Sequence, residues 1–178
     1  MPVRLLIAGR PGSGKTTAIS RLAALLREAG EPVGGFVTTE LRERGRRVGF
    51  EIETLDGGEC ALLAHVKLSG PPRVGRYGVD LAAFEALALP AISARSRQQR
   101  VFLVDELGKM ELSSEPFRAA VSELFAEPVA VVATVQQKPH PFVMRLKSRS
   151  EVETLQLTAA NRERLPSEIA ARLIRDRA

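Results

Sequence analysis

Apolar residues fall along this chain in two rhythms. Residues 3–8, 101–104 and 129–135 form short, almost continuous apolar runs of the kind found in strands buried on both faces, and residues 152–157 read as a further strand. Between these runs the period lengthens. Ala18, Ile19, Leu22, Leu25, Leu26 and Ala29 recur at the spacing of one helix face over residues 15–29, and Gly30 ends that helix. Asp80 stands as the N-cap of a second helix that runs through Phe84, Leu87, Ala88 and Ile92, with Pro90 kinking or splitting it. Ser114 caps a third, with Pro116 in its first turn, lasting to about Phe125. The final helix is expected over residues 160–177, with Thr158 placed to cap it and Pro166 as an internal irregularity.

The stretch after the first helix has a different character. Residues 34–40 and 48–55 alternate or are rich in β-branched and aromatic types, and a charged segment containing Gly45 separates them as a hairpin turn. Asp56-Gly57-Gly58 marks a second turn and residues 59–66 a third strand, while Ser69-Gly70-Pro71-Pro72 reads as loop. Strands alternating with helices argue for an α/β fold with a mostly parallel sheet, carrying an antiparallel hairpin insertion at about residues 34–66. A chain of 178 residues fits one domain, residues 1–178.

Composition narrows the setting. No apolar stretch approaches the ~18–20 residues that span a bilayer, and the N-terminal apolar run is too short for a secretory signal. Cys60 is the single cysteine, so no internal disulfide forms; a cytoplasmic protein without a membrane partner is expected. The net charge is +5, which invites a nucleic-acid partner. The arginines are spread along the sequence, however, in groups at 42–47, 95–100 and 172–177. One Tyr and seven Phe offer no basic run interleaved with aromatics. A nucleic-acid partner is therefore the weaker reading.

One segment names a ligand. Gly9-Arg10-Pro11-Gly12-Ser13-Gly14-Lys15-Thr16 matches G-x-x-x-x-G-K-[ST], the Walker A phosphate loop, and lies between a buried strand and a helix as that loop must. Its small residues let successive backbone N–H groups curl around a phosphate at the positive end of the helix. Lys15 reaches the β- and γ-phosphates, the Thr16 hydroxyl is the Mg²⁺ ligand, and Thr17 either touches the α-phosphate or packs.

A phosphate loop needs a partner carboxylate at the end of a hydrophobic strand. Asp105, closing Val101-Phe102-Leu103-Val104, is the Walker B candidate for the metal. Glu106 follows it and is the candidate for polarising the attacking water. Period-two geometry turns the two side chains apart, so they divide the work. Lys109 is a candidate for stabilising developing charge, or else pairs with Glu111 on the surface. Thr134 is a candidate γ-phosphate sensor or cap. Arg76, Arg149 and Arg162 are candidates for a charge-stabilising arginine, and Arg162 is assigned a contact to the nucleotide. His65 and His140 lack partners at metal spacing and read as structural.

With these residues in hand, the chain resembles the small P-loop nucleoside-triphosphatases first described in thermophiles, a family that includes the human cancer-related nucleoside-triphosphatase. The resemblance rests on residues 9–17, Gly35-Phe36-Val37-Thr38-Thr39-Glu40, Arg46-Arg47-Val48-Gly49-Phe50, Val74-Gly75-Arg76-Tyr77-Gly78-Val79-Asp80 and Thr158 with Asn161-Arg162. The most specific block is Val104-Asp105-Glu106-Leu107-Gly108-Lys109-Met110-Glu111-Leu112. The resemblance implies a three-layer, ASCE/RecA-like P-loop fold in which residues 129–135 form a strand inserted between the phosphate-loop strand and the Asp-Glu strand. It also implies slow, Mg²⁺-dependent hydrolysis of ATP, GTP, CTP, UTP and TTP to diphosphate and phosphate with little base preference.

Two other classes remain open on the residues alone. A small nucleotide or metabolite kinase shares the phosphate loop, but its arginine-bearing lid has no clear counterpart and Glu106 favours water activation. A nucleic-acid-stimulated ATPase would show salt-sensitive stimulation by RNA or DNA. A guanine-specific switch needs Asn/Thr-Lys-x-Asp, and none of the five lysines stands in it.

Overall fold

The computed structural model describes residues 1–94 and 99–176. The strand β1 (Arg4–Gly9) leads into α1 (Lys15–Glu28). The next strands are β2 (Val33–Glu43), β3 (Arg46–Thr54), β4 (Cys60–His65), β5 (Arg73–Val74) and β6 (Tyr77–Val79). After α2 (Leu81–Ala91) come β7 (Val101–Leu107), a 3₁₀ turn at Glu111–Ser113, and α3 (Glu115–Leu124). The chain ends with β8 (Ala130–Gln136), α4 (Pro141–Lys147), β9 (Glu153–Gln156) and α5 (Leu165–Arg175).

The nine strands among the described residues belong to one sheet, ordered β5-β6-β4-β3-β2-β7-β8-β1-β9. The half from β2 to β9 is parallel, and β8 lies between β1 and β7, the position expected for the inserted strand. The β2 strand serves both halves. Val33–Phe36 runs parallel to Val101–Val104, while Phe36–Glu43 continues beyond β7 and pairs antiparallel with β3. The antiparallel part exceeds the expected insertion, because β5 and β6 extend it to Val79.

Alternation along each strand divides the core. Leu5 and Ile7 of β1, with Leu103 of β7, pack on α1 and α5 through Ile19, Leu22, Leu26, Ile169 and Leu173. Leu6, Phe102 and Val104 face the other way, against Phe84 of α2, Phe117 and Val121 of α3, and Phe142 and Leu146 of α4. Helices on both faces of a parallel sheet make the three-layer α/β arrangement.

Local signals place most of the helices. Asp80 and Ser114 cap α2 and α3 by accepting the N–H of Ala83 and Phe117. Pro90 lies inside α2 without ending it. The last helix needs correction: it begins at Leu165, not near residue 160. Proline lacks the N–H that a helix interior requires, so Pro166 suits the first turn of α5. Thr158 does not cap that helix. Its N–H donates to Asn161 Oδ1, and its carbonyl accepts from the N–H of Arg162 in a turn preceding α5.

Among the described residues, no helix is long and apolar enough to cross a membrane. Cys60 is exposed. Arg95, Arg97 and Arg177 lie outside the described residues. Arg47 and Arg76, apart in sequence, meet in space, since both donate to the phenol oxygen of Tyr77.

Candidate active site

The phosphate loop runs from the end of β1 to the first turn of α1. Gly12 and Gly14 take φ values of 74° and 97°, where a Cβ is disfavoured, so the repeated glycines permit the reversal. Gly14 is the N-cap of α1; the helix has no side-chain cap and no acidic residue in its first turn. Its N-terminal amides therefore face outward with the positive end of the dipole, as an anion site requires. Lys15 folds back over the loop, its Nζ donating to Gly9 O at 3.1 Å and Arg10 O at 3.4 Å. Arg10, Pro11 and Gly12 are exposed, Ser13 is half-buried, and its hydroxyl is turned inward. Thr17 is exposed, so it does not pack.

Asp105 and Glu106 end the opposite strand at a register break. Val104 pairs with Ala133 and Leu107 with Val135, which leaves two residues of β7 opposite Thr134 alone. This β-bulge re-aims both carboxylates, and the Asp105–Glu106 peptide is cis. Asp105 is 1% exposed. Its Oδ2 accepts from Thr16 Oγ1 at 2.6 Å and from the Thr38 N–H at 3.4 Å, while Oδ1 accepts from Thr134 Oγ1 at 2.6 Å. Glu106 points elsewhere: Oε2 lies 3.7 Å from Lys15 Nζ, and Oε1 accepts from Gln136 Nε2 at 3.1 Å. The two carboxylates thus serve different neighbours, as anticipated, although a bulge rather than plain alternation separates them.

Burial governs their electrostatics. It pushes the Asp105 carboxyl upward, opposed by the hydroxyls of Thr134 and Thr16, the Thr38 amide and the Lys15 charge. Glu106 is also raised by burial, against the Gln136 hydrogen bond and the Lys15 ammonium. Glu111 is raised as well. Burial and the Glu106 charge push it up to about 8.

Several sequence candidates find other places. Glu111 is only 4% exposed while Lys109 is exposed, so no surface ion pair joins them. Lys109 instead lines a small pocket with Gly108, Gln136 and Lys138. Thr134 is 0% exposed and its hydroxyl donates to Asp105 rather than capping a helix. Arg76 donates to Arg47 O and to Tyr77 in the antiparallel half. Arg149 links the end of α4 to Val152 through its backbone. Arg162 is half-exposed, 3.6 Å from Glu163, in the turn after β9. That turn adjoins the strand feeding the phosphate loop, because the Leu157 N–H donates to Ala8 O. His140 caps α4 through Nδ1, and His65 Nδ1 accepts the Lys67 N–H.

Gln136 and Thr38 escaped the sequence reading. Gln136 ends an apolar strand, and its signal was a polar group at a strand's C-terminal end; Thr38 lies in the middle of β2, in a β-branched run that carries no such signal.

Comparison with known proteins agrees with this arrangement. A family model described as NTPase matches residues 4–170. The chain is 44% identical over 167 residues to nucleoside-triphosphatase THEP1 of Thermotoga petrophila, covering 94% of this chain and 90% of that protein. It is 38% identical over 182 residues to the human cancer-related nucleoside-triphosphatase, covering 95% of each. The crystal structure of THEP1 from Aquifex aeolicus superposes with a TM-score of 0.82 at 32% identity, over 96% of this chain and 99% of that one. The solution structure of the human protein gives the same TM-score at 37% identity, over 96% and 97%. With the phosphate loop facing two strand-end carboxylates and matches along nearly its whole length, the chain belongs to this family of P-loop nucleoside-triphosphatases and is a hydrolase of nucleoside triphosphates.

Proposed function

We propose that residues 1–178 act as one cytoplasmic P-loop domain that hydrolyses ATP, GTP, CTP, UTP and TTP to diphosphate and phosphate in a Mg²⁺-dependent reaction of low base selectivity. The observation that carries the reading is the pairing of neighbours: Thr16 with Asp105 at 2.6 Å, and Lys15 with Glu106 at 3.7 Å. Phosphate-binding and carboxylate groups thereby meet at the C-terminal ends of the parallel strands β1 and β7. Low base selectivity is supported by the relatives' names, which specify no base.

The residues suit magnesium. Thr16 Oγ1 and Asp105 Oδ2 are adjacent hard oxygen donors, and among the described residues no cluster of three or more His, Cys, Asp or Glu side chains forms a metal cage. Mg²⁺ is typically held in this way, by one or two protein oxygens completed by water and substrate phosphate. When bound, it neutralises charge on the phosphate oxygens.

The chain's own groups do the rest. Gly9, Arg10, Pro11, Gly12, Ser13, Gly14, Lys15, Thr16 and Thr17 cradle the phosphates, with amides at the N-terminus of α1 as donors. Lys15 lies across the β- and γ-phosphates, so developing charge on the leaving oxygen meets a fixed ammonium. Glu106 orients the attacking water and accepts its proton. Lys109 contributes positive charge from the pocket it lines with Gly108 and Gln136, and Arg162 contacts the nucleotide from the turn after β9.

A phosphate-release panel over the five triphosphates, with and without Mg²⁺, tests the reading. All five should turn over, and only with the metal. Glu106→Gln should retain triphosphate affinity while losing roughly 10²–10⁴ in kcat, and Lys15→Ala should weaken binding as well. Turnover without divalent metal, or a Glu106→Gln variant near parental kcat, overturns it.

A further inference from the structure

Behind Glu106 lies a buried carboxyl that hydrolysis, as proposed above, does not use. Glu111 opens the 3₁₀ turn five residues after Glu106 and is 4% exposed. The N–H groups of Gly108 and of Glu111 itself favour its charged form, while burial and the Glu106 charge oppose it. At about 8, the group is neutral at pH 7. A neutral, enclosed carboxyl is a poor base for water.

Its position is more informative than its charge. A Cβ built on Gly108 would stand 2.8 Å from Glu111 Oε2, 3.0 Å from Gln136 Nε2 and 3.0 Å from Glu106 Oε1. Three polar atoms therefore converge on the one face of residue 108 where any other amino acid has a side chain. Gln136 Nε2 already donates to Glu106 Oε1 at 3.1 Å. The turn beneath them is firmly held. Leu112 N–H donates to Gly108 O at 2.9 Å, Ser113 Oγ to Lys109 O at 2.7 Å, and Ser114 N–H to Glu111 O at 3.1 Å. Ser114 caps α3 and donates to Glu85 of α2 at 2.6 Å, so the turn is anchored to two helices.

We propose that Glu111, packed with Gln136 across the bare face of Gly108, is a positioning residue that fixes the Glu106 carboxylate for attack. Glu106 is only partly buried, with a side chain 24% exposed, and Lys15 restrains one oxygen at 3.7 Å. The other oxygen rests on Gln136 and the Gly108–Glu111 floor. A base must be held to a fraction of an ångström to act in line, and a displacement of about 1 Å costs on the order of a hundredfold in rate. This inference rests on Glu106 being the water-activating group.

Steady-state kinetics on the full chain with ATP and Mg²⁺ test it, with thermal unfolding recorded for every variant. Glu111→Leu should lower kcat about 10–100-fold and leave KM within about threefold, because the phosphate contacts are untouched. Glu111→Gln, which keeps an acceptor oxygen in place, should recover most of that loss. In the Glu106→Gln background, Glu111→Leu should cause no further loss, since both changes act on one group. Gly108→Ala retains the Glu111 carboxyl but brings a Cβ to 2.8 Å from its Oε2 and 3.0 Å from Glu106 Oε1, so it should displace the packed group and lower kcat as Glu111→Leu does; it decides the question if the leucine variant does not fold. Parental kcat in the variant that folds, a glutamine as harmful as leucine, or fully additive losses with an inactive Glu106→Gln each overturn the proposal alone. Near-parental kcat in Glu106→Gln removes the water-activation reading and this proposal with it.

Discussion

Thr16 and Asp105 are 89 positions apart in the chain, yet Thr16 Oγ1 donates to Asp105 Oδ2 at 2.6 Å. This bond joins the first turn of α1 to the end of β7 across the intervening β8, and β8 takes part because Thr134 Oγ1 holds the other carboxylate oxygen at 2.6 Å. The two threonines are not equivalent. Thr16 stands at the phosphate loop, whereas Thr134 is wholly buried behind the carboxylate. Thr16→Val should therefore remove the hydroxyl proposed to hold Mg²⁺ and nearly abolish turnover. Thr134→Val should only loosen Asp105, raising the Mg²⁺ concentration for half-maximal phosphate release by about 10–100-fold, as losses behind a ligand generally do. Magnesium titrations of the two variants check this. Equal effects would mean that the hydroxyls have the same role.

Glu111 makes the stability of the protein pH-dependent in a defined direction. Its carboxyl ionises near 4.5 when unfolded and at about 8 in the folded chain. The folded state therefore binds the proton more tightly. No penalty arises below about pH 4.5; stability is lost as pH rises through the interval to about 8 and then levels off. Asp105 and Glu106 are shifted in the same direction by burial. Glu111→Gln removes one contribution only, so the melting temperature of that variant relative to the parent should climb between pH 5 and pH 8. A constant difference across that range would show that Glu111 does not titrate there.

The features readable from sequence were those written into contiguous residues. The phosphate loop depends on a local run of backbone conformations, and buried strands such as β1 and β8 declare themselves by unbroken apolar stretches. Asp105 and Glu106 were readable because a strand-end carboxylate must answer a phosphate loop. Gln136 and Glu111 were not. Their importance comes from meeting across Gly108, which depends on the β7–β8 register and its bulge. The meeting of Arg47 with Arg76 likewise depends on β4 and β6 pairing. The α4 helix, seven residues long, has too few turns to reveal a period, and its cap is a histidine.

That histidine cap is a titratable group. His140 Nδ1 accepts the Phe142 N–H at 3.2 Å and caps α4. Burial holds its pKa below the usual value, assisted by the charges of Arg118, Arg145 and Lys109. Protonation would occupy the nitrogen that accepts. The cap therefore contributes fully above about pH 6.5, the ordinary value, and is lost as pH falls through the folded-state pKa. His140→Asn, with an acceptor that does not titrate, should match the parent at pH 8 and gain stability relative to it as the pH is lowered towards 5. Urea unfolding at the two pH values measures this, and identical differences at both would rule out the titrating cap.

Tyr77 anchors the antiparallel half by an arrangement of cations around one phenol. Its oxygen accepts from Arg47 Nε at 3.0 Å and from Arg76 Nη2 at 3.2 Å, and both guanidinium groups lie over its ring, 5.9 and 5.2 Å from the centroid. Phe50 packs edge-on at 5.2 Å. Tyr77→Phe keeps the ring and the cation–π contacts but removes the shared acceptor. Arg47 is half-exposed, with a side chain 44% exposed, so water replaces much of what it loses and the cost should be only about 1 kcal/mol. Arg47→Ala also removes the stacking on Phe50 and the 2.9 Å ion pair with Glu40, and should cost about 2 kcal/mol. Kinetic parameters of Tyr77→Phe should match the parent, because the phosphate loop and Asp105 are held from α1, β7 and β8. Equilibrium unfolding together with ATP turnover tests both parts. A loss of turnover in Tyr77→Phe without a loss of stability would show that the guanidinium pair acts on the reaction and not on the fold.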